Sequence, residues 1–182
     1  MKTIFVGGVH GVGKSTCCRQ VAENHGWLHL SASEVIRGQR ADAIAKVGKL
    51  VANVDANQDL LLRGIEVHRS SSSSSSILLD GHFALRVRDG SIQRLPTSVF
   101  AALQLDGIAC FLDDPTAITQ RLRERDQQKV NEEDVATLQQ QELMHAQEVA
   151  KALALSLEVL PAFDSAALSR LVASSSNSFG GM

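Results

Sequence analysis

The residues best suited to chemistry are Gly8-Val9-His10-Gly11-Val12-Gly13-Lys14-Ser15. They fit the spacing G-x-x-x-x-G-K-[ST] of a phosphate-binding loop. Glycines in this pattern let the backbone curl until successive N–H groups point inward at phosphate oxygens. Lys14 adds a point charge that reaches the β- and γ-phosphates of a nucleoside triphosphate such as ATP. The Ser15 hydroxyl is placed to ligate Mg²⁺. The candidate nucleotide-binding set is therefore Gly8, Gly11, Val12, Gly13, Lys14, Ser15 and Thr16. The competing reading is a glycine-rich turn with a surface lysine.

Two carboxylates and several arginines could serve the same chemistry. Asp80 and Asp113 each end an apolar run, so both can face a crevice at the strand ends. Arg121, Arg123 and Arg125 cluster around a polar stretch that follows the second of those runs. Phosphoryl transfer develops charge on the migrating group, and arginines can match it. Lys14, Arg121 and Arg125 are thus the catalytic candidates, although the three arginines also fit a solvated basic helix face. Arg37 follows Ser31-Ala32-Ser33 by about one helical turn and could meet a second anion. His10 lies inside the loop and is expected to turn away from phosphate. His145 and Trp27 read as packing residues.

The surrounding pattern supplies elements to hold these groups. Thr3-Ile4-Phe5-Val6 is an apolar, partly β-branched run that suits a buried strand. A helix is expected from Lys14 to His25, ended by Gly26. A second strand is expected at Trp27–Leu30, a helix from Glu34 to Ala45, and another opening at Asn57 or Asp59 with Leu60, Leu61, Ile65 and Val67 on its apolar side. The serine run 70–76 reads as a flexible connector. Ile77–Asp80 is the third strand, Arg86 to Arg94 a hairpin or loop around Asp89-Gly90, and Pro96 opens a helix to Leu105. The fourth strand spans Gly107–Leu112, with a helix over Pro115–Arg125. Asn131 caps a long helix to Leu153 whose inward residues are Val135, Leu138, Ala146, Val149 and Leu153. The fifth strand is Leu155–Leu160, and Asp164 caps a last helix. Residues 174–182 read as a disordered tail.

Five strands alternating with helices predict an α/β fold. A phosphate site then lies outside the carboxyl ends of the strands. One domain over 1–173 is expected, with a small lid at about 121–131. The chain has 182 residues, 44% of them hydrophobic, and a formal charge of −2. That balance gives no electrostatic reason to expect a nucleic-acid partner. No apolar run approaches the length of a membrane span, and no room for a cleaved signal is expected before the first strand. Cys17, Cys18 and Cys110 lack metal-ligand spacing and read as core thiols. A reducing, cytoplasmic setting is the expectation.

Several segments together resemble a known family. Ser31-Ala32-Ser33-Glu34-Val35-Ile36-Arg37 resembles the S-T-G-D-x-L-R segment of adenylate and other nucleoside monophosphate kinases. The ordered set is most similar to the archaeal-type adenylate kinases. Their loop G-V-P-G-V-G-K-[ST]-T stands against Gly8 to Thr16, their D-x-H against Asp80-Gly81-His82, and their leucine–proline pair against Leu95-Pro96. Pro115, Ile118, Arg121, Arg123 and Glu132-Glu133-Asp134 follow in the family's order. The resemblance implies a three-layer P-loop NTPase fold with a five-stranded parallel sheet in the order 2-3-1-4-5. It implies ATP and Mg²⁺, with Ser15 and Asp80 at the metal and Arg37, His82 and Arg86 on the acceptor side. A nucleoside monophosphate is the implied acceptor, and a homo-oligomer is permitted. The chain departs from the family in its serine run and in a shorter polar insert, where Gln127-Gln128-Lys129 replaces a second arginine cluster. The alternatives are an ATP-binding, slowly hydrolysing switch or assembly factor, and a kinase for another small molecule or a nucleic-acid end.

Overall fold

The computed structural model describes residues 2–47, 54–71, 76–87, 89–126 and 130–176. Strand β1 (Lys2–Gly7) is buried from Thr3 onward, which explains its unbroken apolar character. It runs parallel to β3 (Ser76–Asp80) on one side and to β6 (Gly107–Leu112) on the other. β2 (Leu28–Ser31) pairs with β3, and β7 (Leu157–Pro161) pairs with β6. The sheet order β2-β3-β1-β6-β7 is the expected order, counted around a separate two-stranded hairpin. That hairpin, β4 (Ala84–Arg86) with β5 (Ile92–Arg94), fulfils the expectation around Asp89-Gly90.

Alternate residues of β1 face different cores. Ile4 and Val6 pack with α1 (Lys14–His25) and α7 (Ser165–Ser176). Phe5 packs with α3 (Val54–Ser71), α4 (Thr97–Ala102) and α6 (Glu132–Leu153). Phe5, Phe83 and Phe100 form a close aromatic cluster there, with centroids 4.9–5.2 Å apart. Helix α5 (Pro115–Asp126) contributes Ile118 and Leu122 to the first core. Asn131 caps α6 as expected, accepting from the Glu133 N–H, and Asp164 accepts from the Ala167 N–H at the start of α7. All three cysteines are buried and free, and His145 and Trp27 pack as read.

Several boundaries differ for identifiable reasons. Helix α2 (Ala32–Val47) begins two residues early, because Ser31 remains in β2 opposite Asp80. Helix α3 begins at Val54, so Asn57 lies inside it and accepts from Arg40 of α2 instead of capping. Val67 is 55% exposed, since the buried face follows Leu60, Leu61 and Ile65 and leaves Val67 on the other side. Helix α4 ends at Ala102 because Gln104 turns left-handed at φ 51°. Ala154 does the same after α6 and delays the fifth strand to Leu157. The serine connector is shorter than 70–76. Ser71 bonds back to the Val67 carbonyl within α3, and Ser76 joins the ladder opposite Lys2. Residues 72–75 and 127–129 lie outside the described residues. The last helix reaches Ser176, which corrects the start of the expected tail; 177–182 lie outside the described residues. No helix among the described residues is long and apolar enough to cross a membrane.

Candidate functional site

The loop between β1 and α1 turns on glycines. Gly13 precedes α1 at φ 98°, a conformation that L side chains rarely adopt. A Cβ there would also lie 2.7 Å from the Phe163 ring. No side chain caps the first turn of α1, so its leading N–H groups face the loop. They carry the positive end of the helix dipole. Gly11, Gly13, Lys14, Ser15 and Thr16 line a cleft of about 500 Å³, together with His10, Arg121, Glu124, Arg125 and Phe163. Gly8 and Val12 are buried beneath it.

Lys14 is 5% exposed, and its Nζ lies 3.4 Å from Nε2 of His82. Burial lowers its pKa; the Asp80 and Glu142 carboxylates act in the opposite direction. Burial, then the Lys14 ammonium and His10, hold His82 well below the ordinary histidine range. His10, expected to turn away, instead lines the cleft with its ring centroid 4.3 Å from that of His82. Desolvation in the cleft and then Lys14 lower its pKa too.

Asp80 sits at the carboxyl end of β3, fixed by the parallel ladder and by the next N–H, Gly81 to Val6 O at 3.0 Å. Its Oδ2 lies 2.7 Å from His29 Nε2. Burial works against the Asp80 anion. The His29 hydrogen bond, the Lys14 charge and the nearby Ser15 hydroxyl outweigh it and hold the carboxyl below the usual carboxylate range. An ionised carboxylate beside a serine hydroxyl is an all-oxygen pair suited to Mg²⁺. His29 thus bonds directly to Asp80, and Ser15 adds to the same lowering of its pKa.

His29 also lines a second cleft of about 420 Å³, bounded by Ser31, Glu34, Val35, Gly38, Gln39 and His68. Ser15 lines the first cleft and His29 the second, and both act on Asp80, which lines neither. Arg37 is exposed on α2, among residues that line the second cleft but not in its wall. Arg86 lies on the hairpin and bonds to the Gly90 carbonyl at 2.9 Å and to Asp134 at 3.0 Å. It is not brought into either cleft.

The three arginines of α5 take different directions. Arg121 lines the first cleft, is ion-paired to Asp113, and lies 5.0 Å from the centroid of the Phe163 ring. Arg125 lines the cleft and pairs with Asp126 at 2.6 Å. Arg123 instead donates to the Val130 carbonyl at 2.7 Å, across the polar stretch.

Three participants escaped the sequence reading. His29 within β2 and Phe163 just past β7 are single residues placed by the parallel sheet. Phe163, left-handed at φ 60° and 49% exposed, stands just past β7. Glu142 carried a usable signal, because it falls four residues after Leu138 and four before Ala146 on the inward stripe of α6. It is fully buried, and its Oε2 accepts the Phe83 N–H at 2.7 Å. Its other oxygen lacks a partner, and burial pushes its pKa up to about 8.

A family model described as an AAA domain matches residues 7–139. The adenylate kinase of Synechococcus sp. (strain RCC307) is 32% identical over 141 residues, 72% of this chain and 72% of that protein. The UMP-CMP kinase of Gallus gallus is 31% identical over 88 residues, 43% of this chain and 45% of that protein. That of Sus scrofa is 40% identical over 50 residues, 28% of this chain and 26% of that protein. The chain thus matches less than half the length of these UMP-CMP kinases. Among solved structures, a gluconokinase from Sinorhizobium meliloti 1021 shares the fold with a TM-score of 0.51 at 15% identity, covering 96% of this chain and 90% of that one.

Proposed function

The chain belongs to the P-loop kinase family, and from that premise we propose that it moves the γ-phosphoryl group of ATP to a small acceptor of the nucleoside monophosphate class. The observation that carries this reading is the buried Asp80, hydrogen-bonded to His29 of the second cleft and acted on by Lys14 and Ser15 of the first. An enzyme that only hydrolysed ATP would need the first cleft alone.

In this reading the loop amides and the start of α1 hold the phosphates of ATP. Lys14 exchanges its neutral partner His82 for phosphate oxygens, which suits a desolvated ammonium. Ser15 and Asp80 would hold Mg²⁺, which supplies charge neutralisation at the phosphates. The base lies against Phe163 and Arg121, and Arg125 faces the phosphate chain. The acceptor occupies the second cleft, with Arg37 near its phosphate. Catalysis is then positioning and electrostatics, with no side-chain nucleophile. The His82 ring, held neutral beside Lys14, serves the acceptor side as a hydrogen-bonding group. Arg86 acts through the hairpin, which it ties to α6. The archaeal-type subgroup is part of the same proposal. It is supported by the Asp80-Gly81-His82 turn and by a hairpin carrying Asp89-Gly90 before Leu95-Pro96.

The test is ADP release measured with Mg²⁺ and ATP, alone and with a panel of nucleoside monophosphates. Acceptor-dependent ADP is expected. Slow release that ignores the acceptor favours the switch reading and removes the second cleft from the chemistry.

A further inference from the structure

The buried side of Asp80 faces a donor set that phosphate chemistry does not require. The Sγ of Cys18, a ring nitrogen of His29 and a carboxylate oxygen of Asp80 all lie within 4.8 Å of one another. Three different elements converge here. Cys18 is on α1, four residues after Lys14 and on the same helix face; His29 is on β2 and Asp80 ends β3. Cys18 is fully buried, whereas the His29 side chain keeps 17% exposure and opens on the second cleft. That edge is an entry path.

Thiol, imidazole and carboxylate form a mixed sulfur, nitrogen and oxygen set. Mg²⁺ selects oxygen donors and holds its waters. Zn²⁺ takes sulfur and nitrogen readily and accepts three protein ligands with a fourth position open. In a tetrahedral zinc site donor atoms stand roughly 3.3–3.6 Å apart, so this triad needs shifts of about 1 Å.

We propose that Cys18, His29 and Asp80 bind a soft divalent cation of the Zn²⁺ class, and that its occupancy withdraws Asp80 from Mg²⁺. Binding replaces the S–H bond of Cys18 by a sulfur–metal bond, and the proton leaves to solvent. His29 gives the lone pair of one ring nitrogen and carries its proton on the other, giving up the Nε2 hydrogen bond to Asp80 if Nε2 binds the metal; Asp80 gives a carboxylate oxygen, and no oxidation state changes. The Lys14 ammonium, whose charge reaches Cys18, opposes the dication and makes the site weaker than a dedicated structural zinc centre. The second half of the proposal rests on the reading of Asp80 as a magnesium residue. The first half does not.

The metal-free full chain is titrated with Co²⁺ and followed by absorption. A thiolate-to-cobalt charge-transfer band is expected, saturating at one ion per chain and discharged by Zn²⁺. Cys18→Ser abolishes the band and His29→Gln weakens binding at least tenfold, while Cys17→Ser and Cys110→Ser retain it. No band in the wild-type protein, or a band that follows Cys17 or Cys110, overturns the site; the wild-type titration depends on no variant's folding. In a second arm, Zn²⁺ is added to the ADP assay. Inhibition relieved by excess Mg²⁺ and by Cys18→Ser is expected. A cobalt band without zinc inhibition leaves the metal site standing and overturns the competition. If no ADP forms under any condition, the kinase reading fails while the titration still decides the metal site.

Discussion

The Nζ of Lys14 lies 3.4 Å from Nε2 of His82, so the loop's cation rests against a neutral imidazole. The ammonium is buried, and the acidic groups of Asp80 and Glu142 act on it through space. A buried cation with a weak partner is disposed to accept an anion.

This pairing has a pH signature. The folded chain holds His82 well below 6.5, whereas the unfolded chain protonates it near that value. Below that point the unfolded state binds more protons, so the stability present above it is lost as pH falls. His10 is shifted the same way. His82→Gln should flatten the decline of melting temperature between neutral pH and pH 5. An unaltered slope would show that His82 protonates as readily folded as unfolded.

Glu142 has the opposite sign. Its folded pKa is about 8, above the unfolded 4.5. Its contribution to stability is full below the unfolded value and is lost as pH rises through the folded one. Glu142→Gln keeps an oxygen for the Phe83 N–H and removes the titration. The variant's melting temperature relative to wild type should climb from pH 5 upward and level off above about pH 8. A pH-independent difference contradicts a buried, titrating carboxyl.

Phe163 is expected to hold the base. Base–aromatic stacking contributes about 1–3 kcal/mol by alanine substitution. Phe163→Ala should therefore raise the Kd for ATP roughly 5- to 150-fold, with a small effect on melting temperature because the ring is half-exposed. Calorimetric titration gives the answer, and equal affinities would remove the ring from the site.

Gly13→Ala combines two penalties, a left-handed backbone and a Cβ 2.7 Å from the Phe163 ring. Backbone strain alone costs about 1–3 kcal/mol. Denaturant unfolding should show that loss, and ATP binding should weaken as the loop deforms. An alanine variant of full stability would contradict the loop geometry.

Much of this site could be read before the fold was known. The loop, the strand before it and the helix after it are local, and so are the Asn131 and Asp164 caps and the Asp80 strand end. Asp80 follows an apolar run, and a parallel sheet sends such ends to one edge. His29, Phe163 and Cys18 could not be read this way. Each becomes a site residue only when β2 lies beside β3 and β7 beside β6. Glu142 interrupts an apolar stripe, so its inward position is legible from the helical period. Arg37 rests on its spacing after Ser33 as well as on the family resemblance, and Arg86 on the resemblance alone; such patterns fix order along the chain without fixing which clefts the side chains reach.

The decisive question is whether one phosphoryl group passes from the first cleft to the second. The most direct measurement uses ATP labelled on its γ-phosphoryl, with Mg²⁺ and a nucleoside monophosphate, and asks where the label goes. Label should appear on the acceptor, in amounts matching ADP, and Lys14→Ala should reduce its transfer by at least roughly 10²-fold while the protein stays folded. Label recovered only as inorganic phosphate, at a rate indifferent to the acceptor, would contradict the account.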